Sequence, residues 1–139
     1  MEQTVVYLKL KGAQFFAQLD LGLTIDQYII LESIYKNSNI CQRDLAKLIL
    51  KDRSNTSRML NNLEEKGFID RFVDTKGNRL VKKIHITEKG KAVIEKNQEL
   101  LTNAFKHVFE DIPEHEFEKM SELLDKLKLS LSKTTIIHI

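Results

Sequence analysis

The feature that most constrains the fold is a single change in the spacing of apolar residues, directly after Gly67. Before this glycine and again beyond residue 87, apolar residues recur every three or four positions, as in amphipathic helices. In Phe68–Val73 and Leu80–Ile86 the period shortens to about two, and the polar segment Asp74–Arg79 separates the two runs. This pattern predicts one β-hairpin with a basic tip in a chain that is otherwise helical.

Local signals place six helices around the hairpin. A capping box beginning at Thr24 starts the second helix, whereas Asp52 caps the fourth and Gly67 ends it. Thr87 caps the fifth helix, and Pro113, the only proline, separates it from the sixth. The predicted fold class is mainly α with a small β-hairpin. Helices three and four form a helix-turn-helix, and the hairpin behind them makes it a winged helix-turn-helix lobe.

The third helix is the shortest of the six. It opens at Cys41, which stands where a capping serine or threonine is usual, and it ends in the polar stretch Lys51–Arg53. Its apolar residues Leu45, Leu48 and Ile49 share one helical face. These three residues define the predicted apolar face of this helix.

The last helix carries more apolar surface than a compact monomer uses. A stripe with steps of three and four, which is heptad spacing, consists of Phe117, Met120, Leu124, Leu127 and Leu131. With the first helix and the apolar tail at residues 136–139, this stripe predicts a helical dimerisation region. The simplest partner is a second copy of the chain.

Positive charge is concentrated in the middle of the chain. The net charge of the sequence is only +2, but residues 43–91 hold 13 Lys and Arg against 7 Asp and Glu, a net charge of +6. Residues 1–42 carry −1 and residues 92–139 carry −3. A basic segment between mildly acidic ones is expected where one part of a fold faces a polyanion. The alternative is the ordinary fluctuation of charge along any chain.

Length and composition exclude several classes of protein. The 139 residues suffice for one ordinary domain, and no apolar run approaches the roughly 20 residues of a membrane-spanning helix. Because no signal-peptide pattern stands at the N-terminus, we expect a cytoplasmic protein. The single cysteine and four histidines lack the spacing of a disulfide framework or zinc site. No set of catalytic groups or Gly-rich phosphate loop is present, so we expect no enzyme activity, cofactor or metal.

The start of the fourth helix carries residue types suited to reading DNA. An α-helix fits the major groove, where arginine binds guanine and asparagine binds adenine, each through two hydrogen bonds. Hydroxyl groups reach either bases or phosphates. The predicted contacts of this helix are Arg53, Ser54, Asn55, Thr56, Ser57, Arg58 and Asn61. Thr56 could instead turn inward, and the alternative for the whole set is a helix start with ordinary capping and surface residues.

Two neighbouring segments complete the predicted DNA contacts. The hairpin tip carries Lys76, Asn78 and Arg79 around Gly77, and a narrow cationic tip suits the minor groove, whose negative potential attracts arginine. The alternative is a solvated, charged turn. Gln42 and Arg43 lie in the first turn of the third helix, where they are placed to hold backbone phosphates.

Cys41 leaves two interpretations open. The amides of a helix N-terminus favour the thiolate form, and such a thiol would be open to oxidation at the mouth of the lobe. In the other interpretation, Cys41 is a small, half-buried residue in the place of a capping serine.

Three stretches of the sequence resemble the MarR family of bacterial transcription regulators. They are Gln42–Lys47, the run Arg53–Ile69 that contains Leu-Glu-Glu-Lys-Gly, and the segment Ile86–Gly90, which reads Ile-Thr-Glu-Lys-Gly. Asp74 and Arg79 of the hairpin belong to the same pattern. Two such motifs on either side of a charged hairpin are more specific than a lone helix-turn-helix, and the resemblance covers essentially the whole chain.

The resemblance implies a homodimeric, sequence-specific regulator of the repressor class that binds a pseudo-palindromic operator in double-stranded DNA. It also implies release by a small-molecule effector held between the dimer helices and the winged lobe. The implied organisation is a single domain over residues 1–139, with dimerisation helices at 1–22 and 92–139 and the DNA-binding lobe at 24–90. Two alternatives stay open: a thiol-based redox-sensing regulator that uses Cys41, and a winged helix that contacts proteins without binding DNA.

Overall fold

The computed structural model describes residues 2–49 and 52–133, and within them it confirms the predicted order of helices and strands. None of the described helices combines the length and the apolar composition that crossing a bilayer requires. In chain order the elements are α1 (Glu2–Gln18), α2 (Ile25–Lys36), α3 (Gln42–Leu48), α4 (Arg53–Glu65), β1 (Ile69–Lys76), β2 (Arg79–Ile86), α5 (Glu88–Val108) and α6 (Glu114–Lys133).

Contacts within the chain divide it into two units, and the first is Met1–Asn97. Its hydrophobic core joins α2, α3, α4, the hairpin and the start of α5. In the same unit, Phe16 of α1 packs edge-on against Tyr28 of α2, with ring centres 5.1 Å apart. The large apolar side chains that are fully buried in this core are Ile30, Leu31, Ile34, Leu45, Leu60, Leu63, Ile69, Ile84 and Ile94.

The second unit, Gln98–Ile139, contains the end of α5 and all of α6. Phe109 and Phe117 pack edge-on, 5.1 Å apart, and the carbonyl of Pro113 accepts the N–H of Phe117 in the turn between the helices. No residue of α6 is buried, although every residue of this helix is described. Leu124 and Leu131 of the predicted stripe are 57% and 64% exposed. The tail at residues 136–139 lies outside the described residues.

Side-chain caps begin α2 and α4 as predicted. Thr24 Oγ1 accepts the N–H of Gln27 at 3.2 Å, and Gln27 Oε1 accepts the N–H of Thr24 at 3.0 Å, which completes the capping box. Asp52 Oδ1 accepts the N–H of Asn55 at 2.8 Å. At the other end of α4, Gly67 has a φ of +80°, in the left-handed region that glycine adopts freely. These caps satisfy backbone groups that helix ends leave without partners.

The buried face of α3 differs from the predicted one. Leu45 is buried and Ile49 half-buried, but Leu48 is 54% exposed and Ala46 is buried in its place. The helix has seven residues, and its inward face is centred near Leu45 and Ala46. Because side chains around a helix are set by its 3.6-residue period, this orientation turns Leu48 away from the core.

The hairpin, which we call the wing (residues 69–86), turns more tightly than predicted. Its strands extend to Lys76 and Arg79, which pair with each other, so only Gly77 and Asn78 remain in the turn. The sequence had indicated a tip over the whole of Asp74–Arg79. Gly77 has a φ of +67° at the first central position, as a type II′ hairpin turn requires.

The base of the wing is joined to the start of α3 by backbone pairing that the sequence did not predict. The N–H of Ile84 donates to the carbonyl of Ile40 at 3.0 Å, and Cys41 forms an antiparallel bridge with Lys83. This pairing fixes the position of the wing relative to the helix-turn-helix.

The turn between α4 and β1 is bound to the start of α5 through three successive carbonyl groups. Lys89 Nζ donates to the carbonyl of Lys66 at 2.6 Å, and Thr87 Oγ1 donates to that of Gly67 at 2.6 Å. The N–H of Thr87 donates to the carbonyl of Phe68 at 3.0 Å. We call residues 66–68 and 87–90 the α4–α5 junction. The two most specific motifs of the sequence meet at this junction. Their direct contact explains why they occur together.

Gly90 allows α5 to approach this turn closely. A Cβ atom at this position would lie 2.3 Å from the carbonyl oxygen of Phe68 and 2.7 Å from Cγ1 of Ile86. The N–H of Gly90 also donates to Thr87 Oγ1 at 3.1 Å, which caps α5. Backbone and side-chain atoms therefore leave no space for any residue larger than glycine.

We expect Gly90→Ala to lower the free energy of unfolding by about 1–3 kcal/mol, because the backbone must shift to relieve the overlap. The matched control is Gly12→Ala in α1, where the added carbon meets only Ile25 Cδ1 at 3.6 Å, an ordinary contact. This control should be neutral or stabilising because alanine has the higher helix propensity. Urea unfolding at one protein concentration measures both, and equal stability of the two variants would contradict the close approach at Gly90.

Candidate nucleic-acid interface

The exposed side of α4 carries most of the residues predicted to read DNA. Ser54, Asn55, Arg58 and Asn61 are exposed and Ser57 is half-buried; we call these five residues the polar face of α4. Arg53, also exposed, is the first residue of the helix. The opposite side of α4 contributes to the core, so the helix is held with its polar face outward.

Thr56 lies outside the polar face. Its side chain is fully buried, and its hydroxyl group donates to the carbonyl of Asp52 at 2.8 Å. The structure therefore does not bring Thr56 to the surface on which the sequence placed it. Its role here is to bond with the backbone at the start of α4.

Three side chains on the polar face and its cap form a continuous hydrogen-bonded chain. Asn55 Nδ2 donates to Asp52 Oδ2 at 2.7 Å, and Arg58 Nη2 donates to Asn55 Oδ1 at 3.0 Å. Hydrogen bonds from the backbone and side chain of Asn55 hold the pKa of the Asp52 carboxyl below its usual value. The carboxylate thus stays ionised at neutral pH and remains an acceptor for Asn55.

Arg71 connects the wing to the last two turns of α4, a contact that was not predicted from the sequence. Its Nε donates to Glu64 Oε2 at 2.7 Å, and its Nη2 donates to Asn61 Oδ1. Asn61, predicted to read adenine, therefore has its amide oxygen engaged by the wing in this structure. A signal was available, because Arg71 is two residues after the buried Ile69 and so shares its strand face.

A cleft with a volume of about 660 Å³ lies between α3, the first turn of α4 and the wing; we call it the cationic cleft. Its charged lining has a single carboxylate, Asp44. None of its six cations forms an ion pair with another described residue. These cations are Arg43, Lys47, Arg53, Lys76, Arg79 and Lys82.

Four of the six cations were predicted from the sequence as DNA contacts, whereas Lys47 and Lys82 were not. Lys47 is four residues after Arg43, which places the two on one side of α3. Lys82 lies on β2, opposite Val73 of β1. Charge along the chain indicated the basic segment, whereas the position of Lys82 beside the cleft depends on how the wing packs.

An ion pair joins the two strands of the wing. Lys83 Nζ lies 2.9 Å from Asp74 Oδ2, and Asp74 Oδ1 accepts the N–H of Thr75 at 2.8 Å. These two donors hold the pKa of the Asp74 carboxyl below its usual value, with the Lys83 hydrogen bond as the larger cause. Asp74 is therefore occupied by Lys83 and leaves the tip cations Lys76 and Arg79 unpaired.

The remaining predicted contacts lie at the start of α3. Arg43 is exposed, whereas Gln42 is half-buried and its Oε1 atom is enclosed, with no hydrogen-bond partner among the described residues. Cys41 occupies the N-cap position as predicted, but its side chain makes no capping hydrogen bond. It is half-buried and lines the cationic cleft. Its redox role stays a prediction.

The described part of the chain holds no cluster of potential metal-ligating side chains. Within residues 2–49 and 52–133, no three His, Cys, Asp or Glu side chains group closely enough to hold an ion. His107, which the sequence places one turn before Asp111, instead lies 3.2 Å from Glu110 through its Nδ1 atom.

The helix-turn-helix, the wing and the cationic cleft between them define a winged helix protein, and comparisons with known proteins agree. The MarR family model matches residues 23–81. An HTH-type transcriptional regulator of Bacillus cereus is 32% identical over 118 residues, which cover 82% of this chain and 74% of that protein. The chain belongs to the MarR family of transcriptional regulators. Members of this family are DNA-binding regulators and not enzymes, which confirms the expectation that this chain is no enzyme.

Two further relatives differ in how much of their length is matched. The regulator YybA of Bacillus subtilis is 45% identical over 74 residues, 53% of this chain. The match spans 49% of YybA, about half its length. The crystal structure of the S. aureus MepR–DNA complex superposes with a TM-score of 0.77 at 28% identity, and the match covers 94% of this chain and 92% of that one.

Proposed function

We propose that the protein is a homodimeric transcriptional regulator that binds double-stranded DNA at a specific, pseudo-palindromic sequence. The observation that carries this proposal is the cationic cleft beside the polar face of α4. Six cations without acidic partners lie next to a row of small polar side chains, as expected for a surface that meets phosphates and base edges together. The structural neighbour MepR has been crystallised in complex with DNA, which supports DNA binding by a chain of this fold.

In this proposal each part of the surface has its own contact. Arg58 and the hydroxyl groups of Ser54 and Ser57 meet base edges in the major groove. Lys76, Asn78 and Arg79 of the wing enter the minor groove, and a two-residue turn is narrow enough for that purpose. Arg43, Arg53 and Gln42 hold phosphates, although the enclosed oxygen of Gln42 leaves only its amide nitrogen for such a contact.

The apolar surface outside the winged lobe supports a homodimer. In α1, large side chains such as Val6, Tyr7 and Leu8 are 59–64% exposed. In the predicted stripe of α6, Met120 is half-buried and the other four residues are exposed. Exposed apolar surface of this extent marks an interaction site. A second copy of the chain would place two winged lobes on one pseudo-palindromic site, because the symmetry of the protein matches that of the DNA.

We further propose that the regulator acts as a repressor and that a small-molecule effector releases it. An effector shifts such an equilibrium only by binding one state more tightly than the other. The second candidate is oxidation of Cys41, favoured by its place beside the cationic cleft without a capping bond. Release from DNA by peroxide in the parent but not in Cys41→Ser would support the redox candidate, and indifference of the parent to peroxide would exclude it.

DNA binding should weaken steeply with salt, and two variants should separate its components. Arg58→Ala should cost about 1–3 kcal/mol on the duplex that the protein selects and relax the preference at one position of each half-site. Lys76→Ala should weaken selected and random duplexes alike and reduce the salt dependence, because it removes a phosphate or groove charge. Fluorescence anisotropy across a salt series measures both effects.

A salt-independent affinity of the parent protein would favour a surface for proteins over one for DNA. An Arg58→Ala variant that loses equal affinity for selected and random duplexes would remove Arg58 from base reading. The two variants serve as controls for each other, because both remove one exposed cation from the same unit.

Placing a charge in the apolar stripe of α6 should dissociate the dimer. We expect Leu124→Glu to be largely monomeric at concentrations at which the parent protein is dimeric, because the interface would have to bury an unpaired carboxylate. Lys126→Glu is the matched control: it places glutamate on the same helix two residues away, on the opposite side. Sedimentation velocity measures both, and a Leu124→Glu variant that remains a dimer would place the interface elsewhere.

A further inference from the structure

The amide of Asn55 is fixed in orientation by two neighbours of opposite charge. Its nitrogen donates to the Asp52 carboxylate and its oxygen accepts from the Arg58 guanidinium, at 2.7 and 3.0 Å. The amide oxygen can only accept hydrogen bonds and the amide nitrogen can only donate them. Only one orientation of the amide therefore satisfies both neighbours. Asn55 therefore links the cap of α4 to the arginine one turn further on.

Capping of α4 does not by itself require the negative charge of Asp52. Serine and asparagine cap helices about as well as aspartate, without a charge. A carboxylate beside a surface for a polyanion weakens the attraction to phosphates. Besides a charge that the positive end of the helix dipole favours, aspartate adds a second acceptor oxygen. Oδ1 accepts the N–H of Asn55, and Oδ2 accepts a hydrogen bond from its side-chain Nδ2.

Arg58 gains a defined position from this chain. An arginine side chain has many rotamers, and ordering it on binding opposes association. The bond from Nη2 to Asn55 holds the guanidinium on the polar face and uses one of its five N–H groups. The other N–H groups suffice for two hydrogen bonds to one guanine.

We propose that Asn55 and Asp52 are positioning residues that aim Arg58 at its base, and that Asn55 does not itself read adenine. This inference rests on the proposed DNA binding and adds to it which residue determines specificity. In this arrangement Asp52 increases discrimination between sequences while it lowers affinity for DNA in general.

The test is Asp52→Asn, which keeps an oxygen to cap α4 but removes both the charge and the second acceptor. The expected result is a loss of about three- to thirtyfold in preference for the base pair that Arg58 reads, as for strongly coupled neighbours. Affinity for a random duplex should stay equal or rise. Asn55→Ala should show the same loss, and it serves as a second variant because the side chain of Asn55 is exposed and does not cap the helix.

Two controls separate positioning from charge and from stability. Asp70→Asn removes an exposed carboxylate from β1 of the wing and should leave the base preference unchanged. In an Arg58→Ala background, Asp52→Asn should cause no further loss of preference, because the aimed group is gone. In every variant, the base preference at the other positions of the DNA site should be unchanged. A general disturbance of α4 would alter the preference at those positions as well.

An unchanged preference in both Asp52→Asn and Asn55→Ala would overturn the inference, as would an equal loss at every position of the site. A parent protein without any sequence preference would overturn the proposed function as well. The parent is measured first, so the two failures are distinguishable.

Discussion

The three carbonyl groups at the end of α4 determine how the winged lobe is assembled. The left-handed backbone at Gly67 reverses the chain, and Thr87 and Lys89 then donate to the carbonyls of Lys66, Gly67 and Phe68. Each such bond contributes only about 0.5–1.5 kcal/mol. Because all three depend on the same close approach at Gly90, the positions of α4, the wing and the start of α5 depend on one another.

The junction also explains how α4 can present a surface that is polar and yet well ordered. Asp52 caps the start of the helix, the junction holds its end, and Arg71 joins its last two turns to β1. The hydrogen bond from Asn55 to Asp52 and the one from Arg71 to Asn61 also engage two side chains of the polar face. The cations of the cleft form no ion pairs with acidic side chains of the lobe. Their positive charges can therefore pair with the phosphates of a polyanion.

Local signals in the sequence predicted the elements, and tertiary packing decided the details that were missed. Three features each depend on only a few neighbouring residues, so they could be predicted from the sequence: the capping box at Thr24, the cap at Asp52 and the change of period after Gly67. The exposure of Leu48 depends on how α3 packs, and the contact of Arg71 with Asn61 joins different elements. Charge and residue type indicated a surface for DNA but could not distinguish a side chain that reads bases from one that holds its neighbour.

We propose that two copies of this lobe bind one DNA site through α4 and the wing. Selection of bound duplexes from a random pool tests this proposal, because the selected sequence reports specificity and symmetry together. We expect an inverted repeat whose half-sites are about one helical turn apart, roughly 10 base pairs between centres. No enrichment at low salt, or an enriched sequence without an inverted repeat, would contradict it.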